Sequence, residues 1–447
     1  MPTRVALRTR TVAGSRLKSD FPSTVYPAVR KRSIPKVIEW SFLLFIFTIP
    51  FEAAQTAFTS GSLSLAKISG LFFFLIYFFL YNPLLHRPLP AIPSEMRWFL
   101  GYLAIYLLNV LFLGPEYLPP FLSRFLTLLQ LIVFFWIAAA LLQHDKNCTK
   151  AVITFTIATA ILASCTLLQL PGFYGTFGEE IDGRVTALGS NPNSIGELMA
   201  IALVALIGLL LSRSFGRFKN ALPILLAVPL LVLLVKTGSR GSIGAFALGS
   251  SVYLFLFLHS KKKFWTILLS ILAIVSLIYV TANDPVSSQR FEATYKEGSV
   301  AGRDVIFSKA VDMILERPIF GWHPVAHWRE LGFRVGEWER DAHNLFLHLL
   351  LEVGLVGTIP FFIGFLVCLR SAWRASGGTL GLVFLALMIT ILVTNMSGTN
   401  LATKPFWFIL ALAVGAAAGV RKQPRRLAVR HPAGALIKKP RLSQAAS

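Results

Sequence analysis

Charged residues are scarce in this chain of 447 residues. Only 14% of the residues are Asp, Glu, Lys or Arg, whereas 55% are apolar. Soluble domains carry about 25% charged residues, so this composition excludes a set of ordinary soluble domains. Several apolar runs exceed about 17 residues, the minimum for a helix to cross a hydrocarbon core about 30 Å thick. The composition therefore predicts a polytopic integral membrane protein.

Cysteine is rare as well. The three cysteines are Cys148, Cys165 and Cys368; the first lies in a polar connection and the others lie inside apolar runs. No loop offers a pair, which excludes a disulfide framework and a thiolate metal cluster.

The net charge of +22 is concentrated outside the hydrophobic body. Residues 1–36 hold nine Lys or Arg and one acid, and residues 421–447 hold eight Lys or Arg and no acid. A large excess of positive charge could indicate a nucleic-acid binder. Basic residues at both ends of the chain, however, are typical of cytoplasmic tails beside anionic lipid. We therefore expect no nucleic-acid partner. The Arg- and Ser-rich N-terminal tail also fits an organellar transit peptide.

Hydropathy and charge together predict an all-α fold with about twelve transmembrane helices. The predicted spans are residues 37–56, 63–81, 98–114, 121–142, 151–170, 193–211, 220–236, 241–258, 264–281, 344–368, 379–395 and 404–420. The implied organisation is a cytoplasmic tail (1–36), nine helices (37–281), one long outer loop (282–343), three helices (344–420) and a second cytoplasmic tail (421–447). Basic residues then concentrate on the inner side, as the positive-inside rule requires, and both termini are cytoplasmic.

The basic residues on the outer side are the exceptions that indicate function. Arg240 lies in a tight turn, Thr237-Gly238-Ser239-Arg240-Gly241-Ser242, that opens directly into a span. A helix N-terminus beside an arginine is suited to bind an anion, although an arginine that snorkels to the interface is an equal alternative.

A second outer motif joins Gly183-Arg184 to Asn191-Pro192-Asn193. We expect Asn193 to cap the following helix, and Glu197 to find a cationic partner in Arg184 or Lys67. A purely structural cap explains this stretch equally well.

The long outer segment contributes Arg303 and several histidines. Residues 304–316 have the apolar spacing of a helix that could lie on the bilayer surface. His323 and His327 have a zinc-like spacing, but Pro324 lies between them and no third ligand is nearby, so a metal is a minority interpretation.

Asp341-Ala342-His343-Asn344 leads into the tenth span. With Asp341 as the N-cap, His343 would occupy the first helical turn, where the helix dipole helps to keep the imidazole neutral. A neutral histidine near several arginines suits a base that acts beside a bound polyanion.

These motifs resemble the O-antigen ligase and polymerase superfamily of bacterial cell-envelope glycosyltransferases. The likeness is detailed over residues 180–370, where His343, Asn344, nine residues, Gly354 and Gly357 fit the ligase pattern. Polymerases of this family often show Arg, ten residues, then Gly; after Arg184 the glycine comes one place late, at Gly196. The usual Gly-x-Gly after the Pro-x-x-Gly turn is altered to Gly321-Trp322-His323.

The resemblance implies a helical membrane glycosyltransferase (GT-C-like) fold in the bacterial inner membrane, with its active site on the periplasmic side. It implies inverting, metal-independent transfer from undecaprenyl diphosphate to a hydroxyl of lipid A–core or another glycan, with no cofactor. His343 and Arg240 would be catalytic, Arg184, Arg240 and Arg303 would bind the diphosphate, and Asn193, Ser239 and Asn344 would support them. The outer loops lack Asp-x-Asp, so arginine rather than metal would stabilise the leaving group.

Other functions remain open at this stage. A polymerase of glycan repeats, an exopolysaccharide enzyme or a protein O-oligosaccharyltransferase of the same superfamily would use similar residues. A secondary transporter is more remote, because such proteins bind substrate at mid-membrane between matched halves with broken helices.

Overall fold

We analysed a computed structural model of the chain. It describes residues 34–53, 64–81, 89–177, 183–212, 214, 221–254, 279, 281, 283–297 and 302–422. The chain divides into two units, residues 1–35 and 36–447, and nearly all of the first unit lies outside the described residues. The description below therefore concerns the second unit.

Helices dominate the described part of the chain. In chain order they are α1 (Lys36–Thr48), α2 (Leu65–Leu75), α3 (Ser94–Leu108), α4 (Leu118–Leu141), α5 (Asp145–Leu167), α6 (Pro192–Leu211), α7 (Ala221–Lys236), α8 (Arg240–Ser251), α9 (Pro285–Glu297), α10 (Arg303–Glu316), α11 (Ala326–Val335), α12 (Leu345–Ala375), α13 (Val383–Thr394) and α14 (Lys404–Lys422). Shorter 3₁₀ segments follow α1 and α3, and a π-helical segment, Ile76–Tyr81, follows α2.

The expectation of a helical membrane protein is confirmed in its main features. A helix lies at eleven of the twelve predicted spans, and most of the remaining one, 264–281, lies outside the described residues. By length and composition, six helical stretches could cross a membrane: Ser94–Phe112, Pro115–Leu141, Asp145–Leu167, Pro192–Leu211, Leu345–Ala375 and Lys404–Arg421. The number of crossings and their orientation stay predictions.

The all-α prediction needs one correction. Two strands, β1 (Tyr174–Phe177) and β2 (Arg184–Ala187), form an antiparallel ribbon between α5 and α6. All four residues of β2 are buried. Strands this short carry too little alternation to be detected in a sequence. The burial of β2 stabilises a ribbon that would be marginal alone.

Helix α12 is central to the packing. It lies against α3 and α14, while α8 packs on α13 and on α6. The contact between α3, α12 and α14 is aromatic: the ring of Phe99 lies 5.5 Å from that of Phe361 and 5.1 Å from that of Trp407. These edge-on pairs fill the interior, and the one polar group among the three rings, the indole N–H of Trp407, donates to the Leu401 carbonyl (2.7 Å).

A break inside α12 joins two of the sequence motifs. Gly354 has φ 59° and ψ −166°, which is not helical, and the segment 318–322 fits against the break. Trp322 N–H donates to the Leu351 carbonyl (2.6 Å), and Leu355 N–H donates to the Pro318 carbonyl (2.9 Å). Backbone polar groups released by the break are thereby satisfied. A Cβ on Gly354 would lie 2.2 Å from the Ile319 carbonyl oxygen, so only glycine fits here.

Helix α10 packs onto the protein through much of its apolar face. Ile306, Ala310 and Met313 are buried against Leu331, Ala342 and Leu351. The helix at residues 304–316 is therefore present as expected, but these residues cover α11 and the start of α12 instead of facing a bilayer. The apolar periodicity predicted the helix correctly. The surface on which the helix packs could not be predicted, because most of its residues lie in later segments of the chain.

Candidate functional site

The turn that connects α13 and α14, residues 395–400, gathers several predicted site residues. Arg303 Nη2 donates to the Ser397 carbonyl (3.0 Å), and Asn344 Nδ2 donates to the Met396 carbonyl (3.2 Å). Asn395 Oδ1 accepts from the Asn400 amide (3.0 Å), which closes the turn on itself. Sequence reasoning missed this turn, since its small polar residues look like an ordinary connection.

Helix α8 begins beside the same turn. A Cβ on Gly241 would lie 2.2 Å from Ser397 Oγ, so the first helical turn, which contains Arg240, lies directly against residue 397. Ser239 is the N-cap residue but its side chain makes no capping bond; its Oγ lies 2.8 Å from Ser242 Oγ. Arg240, which the sequence predicts to bind the diphosphate, is half-buried at the N-terminus of α8. This is the end of a helix that attracts anions.

Arg184 is buried and binds the turn that leads to Arg240. Its side chain is buried, with Nε donating to the Thr237 carbonyl (2.8 Å) and Nη2 donating to Asn193 Oδ1 (2.7 Å). Asn193 is therefore not the cap of α6: Asn191 caps this helix, because its Oδ1 accepts from the Asn193 amide (2.8 Å). This placement favours a positioning role for Arg184 and Asn193 over direct contact with a ligand.

Glu197 has a hydrogen-bond partner on α13. Glu197 is buried on α6 and accepts a hydrogen bond from Thr394 Oγ1 (3.2 Å). A cationic partner for Glu197, Arg184 or Lys67, stays a prediction. Thr394 is the last residue of α13, so Glu197 is bonded to the residue that directly precedes the 395–400 turn.

His343 lies at the mouth of α12, but not inside the helix. The helix begins at Leu345, and Asn344 caps it through bonds from the Phe346 and Leu347 amides. Asp341 is thus not the N-cap, and His343 precedes the helix with φ 49°. This left-handed conformation is uncommon for a residue other than glycine and is often found at functional sites.

The surroundings of His343 keep its imidazole neutral. Burial lowers the pKa of His343, the charges of Arg340 and Arg303 lower it further, and Asp341 and Glu337 act in the opposite direction. About one third of the side chain remains exposed. A neutral, accessible imidazole is able to accept a proton.

Below His343, buried polar side chains surround His348 on α12. His348 Nδ1 lies 3.3 Å from His327 Nε2, and His348 Nε2 lies 3.6 Å from Glu352 Oε1. Arg124 of α4 reaches the same place, with Nη2 3.1 Å from His348 Nε2 and Nε 3.4 Å from Glu352 Oε1. Sequence reasoning assigned no role to His348, Glu352 or Arg124; the available signal was the presence of ionisable side chains within apolar runs.

The two loop histidines do not act together. His323 Nδ1 lies 2.6 Å from Asn109 Oδ1 and its ring stacks on Phe112, whereas His327 points to His348. Burial lowers the pKa of His327 to about 3, so this ring is neutral. One nitrogen each of His327 and His348 and one oxygen of Glu352 lie within 4.8 Å of one another, a set of metal-binding type that the sequence did not predict. The guanidinium of Arg124 already supplies positive charge to that set.

Arg303, Asn344 and the N-terminus of α8 contact the 395–400 turn, and His343 directly precedes Asn344 in the chain. Arg184 binds Asn193 and the Thr237 carbonyl, just before α8. Cationic groups next to a neutral histidine suit the binding of a polyanion beside a hydroxyl that must lose a proton.

The fold is that of a helical membrane protein, and its candidate site places Arg303 near His343. Residues 225–362 match the family model described as O-antigen ligase, which confirms the resemblance to the O-antigen ligase superfamily. The match includes Arg240, Arg303, His343 and Asn344 and supports a ligase- or polymerase-type glycan transferase.

Other comparisons add little. No curated protein matches the chain. One solved chain, from a structure described as "Structural coordination of polymerization and crosslinking by a peptidoglycan synthase complex", is similar to 74% of this chain and 98% of its own length, with 15% identity and a TM-score of 0.42. A likeness at that level supports no conclusion here.

Proposed function

We propose that this protein is an O-antigen ligase that transfers a glycan from undecaprenyl diphosphate to a hydroxyl of lipid A–core. The contacts of Arg303 and of the N-terminus of α8 with the 395–400 turn carry this proposal, together with the position of His343 between two residues that bind the same turn, Asp341 and Asn344, and with the family match. The reaction takes place at the periplasmic face of the bacterial inner membrane, with both termini in the cytoplasm. It proceeds with inversion and without a metal ion.

The donor diphosphate binds at the arginines. Arg240 at the start of α8 and Arg303 at the start of α10 supply guanidinium groups, and the amides of the first turn of α8 add hydrogen-bond donors. When the bond between the anomeric carbon and the diphosphate oxygen breaks, the electron pair moves to that oxygen. Fixed positive charge at this place stabilises the leaving group more in the transition state than before it.

The acceptor hydroxyl binds at His343. Its oxygen forms the new bond to the anomeric carbon on the face opposite the diphosphate, and its proton passes to the neutral imidazole. Four further residues position the turns that carry Arg240 and His343 and do not contact the substrates themselves. They are Ser239, Asn344, Arg184 and Asn193.

Glycan analysis of a deletion strain tests the acceptor. A ligase predicts lipid A–core without polymer while polymer accumulates on the lipid carrier, and the wild-type gene restores the attachment. Single-repeat glycans on lipid A–core would instead indicate a polymerase, and unchanged lipopolysaccharide would point to another acceptor, such as protein or exopolysaccharide. A plasmid with His343→Ala provides the inactive control.

A further inference from the structure

Asp341 is held between two histidines. Its Oδ1 accepts from Thr399 Oγ1 (3.0 Å) and lies 3.4 Å from His348 Nδ1, while its Oδ2 lies 3.7 Å from His343 Nδ1. The first oxygen is thus fixed by groups of the 395–400 turn and of α12, and the second faces the histidine at the mouth of the helix. The distance to His343 is longer than a hydrogen bond, as is common for catalytic contacts in proteins without bound substrate.

The protonation of His348 follows from its neighbours. Arginine only donates, so His348 Nε2, 3.1 Å from Arg124 Nη2, accepts, and the proton of a neutral ring lies on Nδ1, the atom that faces Asp341. Arg124 is held in turn by Glu352, which also accepts from Tyr102 OH (3.0 Å). Neutral His327 donates from Nδ1 to the His323 carbonyl (3.1 Å), so its Nε2 is a second acceptor, 3.3 Å from the same His348 Nδ1. The His348 N–H is therefore shared between His327 and Asp341.

Asp341 is negatively charged in this setting. Burial alone would raise its pKa, but contacts with His348, His343 and Thr399 outweigh this effect and hold the pKa of Asp341 below its ordinary value. The other charged groups that face His343 are Arg340, Arg303 and Glu337, and those that face His348 are Arg124 and Glu352, with His327 neutral beside them.

A metal ion is the competing use of the buried groups. Such an ion would need nitrogen atoms of His327 and His348 and an oxygen of Glu352 as ligands. Arg124 Nη2 and Nε, however, lie at His348 Nε2 and Glu352 Oε1. A divalent ion there would be placed against a guanidinium in a buried environment, which is unfavourable. The geometry therefore favours a hydrogen-bonded support over a metal site.

We propose that Asp341 is the positioning residue of His343, and that His348, backed by Arg124 and Glu352, fixes Asp341 in place. This inference rests on the proposed function, in which His343 takes the proton of the acceptor hydroxyl. Asp341 directs the proton of neutral His343 to Nδ1, which leaves Nε2 free to accept. After transfer the imidazolium carries both protons beside the Asp341 carboxylate, and the second proton leaves to water with the products.

Asp341→Asn tests the pairing with two measurements on the purified full-length protein. The first is the rate at which diethyl pyrocarbonate modifies His343 as a function of pH, followed by mass spectrometry. The carboxylate raises the pKa of His343, so its loss should move the midpoint for His343 to lower pH by about 0.5–1 unit, as expected for charges about 4 Å apart near water. The second is the pH profile of transfer, whose acid limb should move the same way while kcat falls about 10- to 100-fold, as for partners that orient metal-binding histidines.

Two further variants complete the test. Asp312→Asn removes an exposed carboxylate on α10 that pairs with Lys309, and it should change neither measurement. Thr399→Val keeps the shape but removes one bond to Asp341 Oδ1, and should lower kcat less than Asp341→Asn does. An unchanged modification midpoint in Asp341→Asn overturns the inference, whatever the transfer rate. If the midpoint moves but His343→Ala transfers normally, the pairing is supported and the proposed role of His343 as base fails.

Discussion

Replacing Gly354 by alanine should sharply destabilise the protein. The φ and ψ of this residue, 59° and −166°, belong to a region that costs other residues about 1–3 kcal/mol. The added Cβ would also lie 2.2 Å from the Ile319 carbonyl oxygen, so α12 and the segment 318–322 must separate.

The cost of that separation can be worked from the backbone contacts. Three hydrogen bonds join the two segments: Trp322 N to Leu351 O (2.6 Å), Leu355 N to Pro318 O (2.9 Å) and Val356 N to Ile319 O (3.2 Å). At about 1 kcal/mol for each buried bond, their loss adds about 3 kcal/mol to the backbone strain. We expect Gly354→Ala to lower the free energy of unfolding by about 4–6 kcal/mol.

Denaturant titration of the purified protein in detergent, followed by tryptophan fluorescence, measures this change. Gly244→Ala is the matched control, because a Cβ at this position in α8 meets nothing within 4 Å. In a helix that substitution should be neutral or stabilise by about 0.5–1 kcal/mol. An unfolding free energy for Gly354→Ala within about 1 kcal/mol of wild type would refute the assigned role of the break in α12.

The remaining predictions concern the donor site. Arg240→Ala should abolish transfer while the protein stays inserted and folded. Arg240→Lys should recover only part of the activity, because an ammonium lacks the planar fork that binds phosphate oxygens. Wild-type rates in the purified alanine variant would remove Arg240 from the site. Transfer in vitro should also survive excess EDTA, because arginines and not a metal stabilise the leaving group; loss of turnover that Mg²⁺, Mn²⁺ or Zn²⁺ restores would contradict this mechanism.

The features that the sequence predicted correctly have local signals. Apolar runs long enough to form membrane helices revealed most helices. An arginine in a short turn between two spans is unusual, and the site role assigned to Arg240 on that ground stays a prediction. The turn at Thr237–Ser242 and the helix that follows it are both present.

The features that it could not predict depend on contacts between distant residues. Arg124 and His348 are 224 positions apart, and Arg303 and Ser397 are 94 apart, so no window of sequence joins them. Helix caps were misplaced by two or three residues, at Asn193 and Asp341, because several Asn and Asp residues precede each helix and any of them could cap it. His323 and His327 contact different partners, and Val325 between them has φ 70°, which is exceptional for a β-branched residue and has no sequence signal.

The most direct test of the central claim separates donor binding from transfer. His343→Ala and Arg303→Gln are compared in purified form, with binding of the lipid-diphosphate donor and the rate of glycan transfer measured on the same preparations. We expect His343→Ala to bind the donor nearly as wild type while transfer falls by about 10²- to 10⁴-fold, the usual contribution of a general base. Arg303→Gln should bind the donor more weakly. Normal turnover in His343→Ala, or a loss explained entirely by weaker donor binding, would contradict the account.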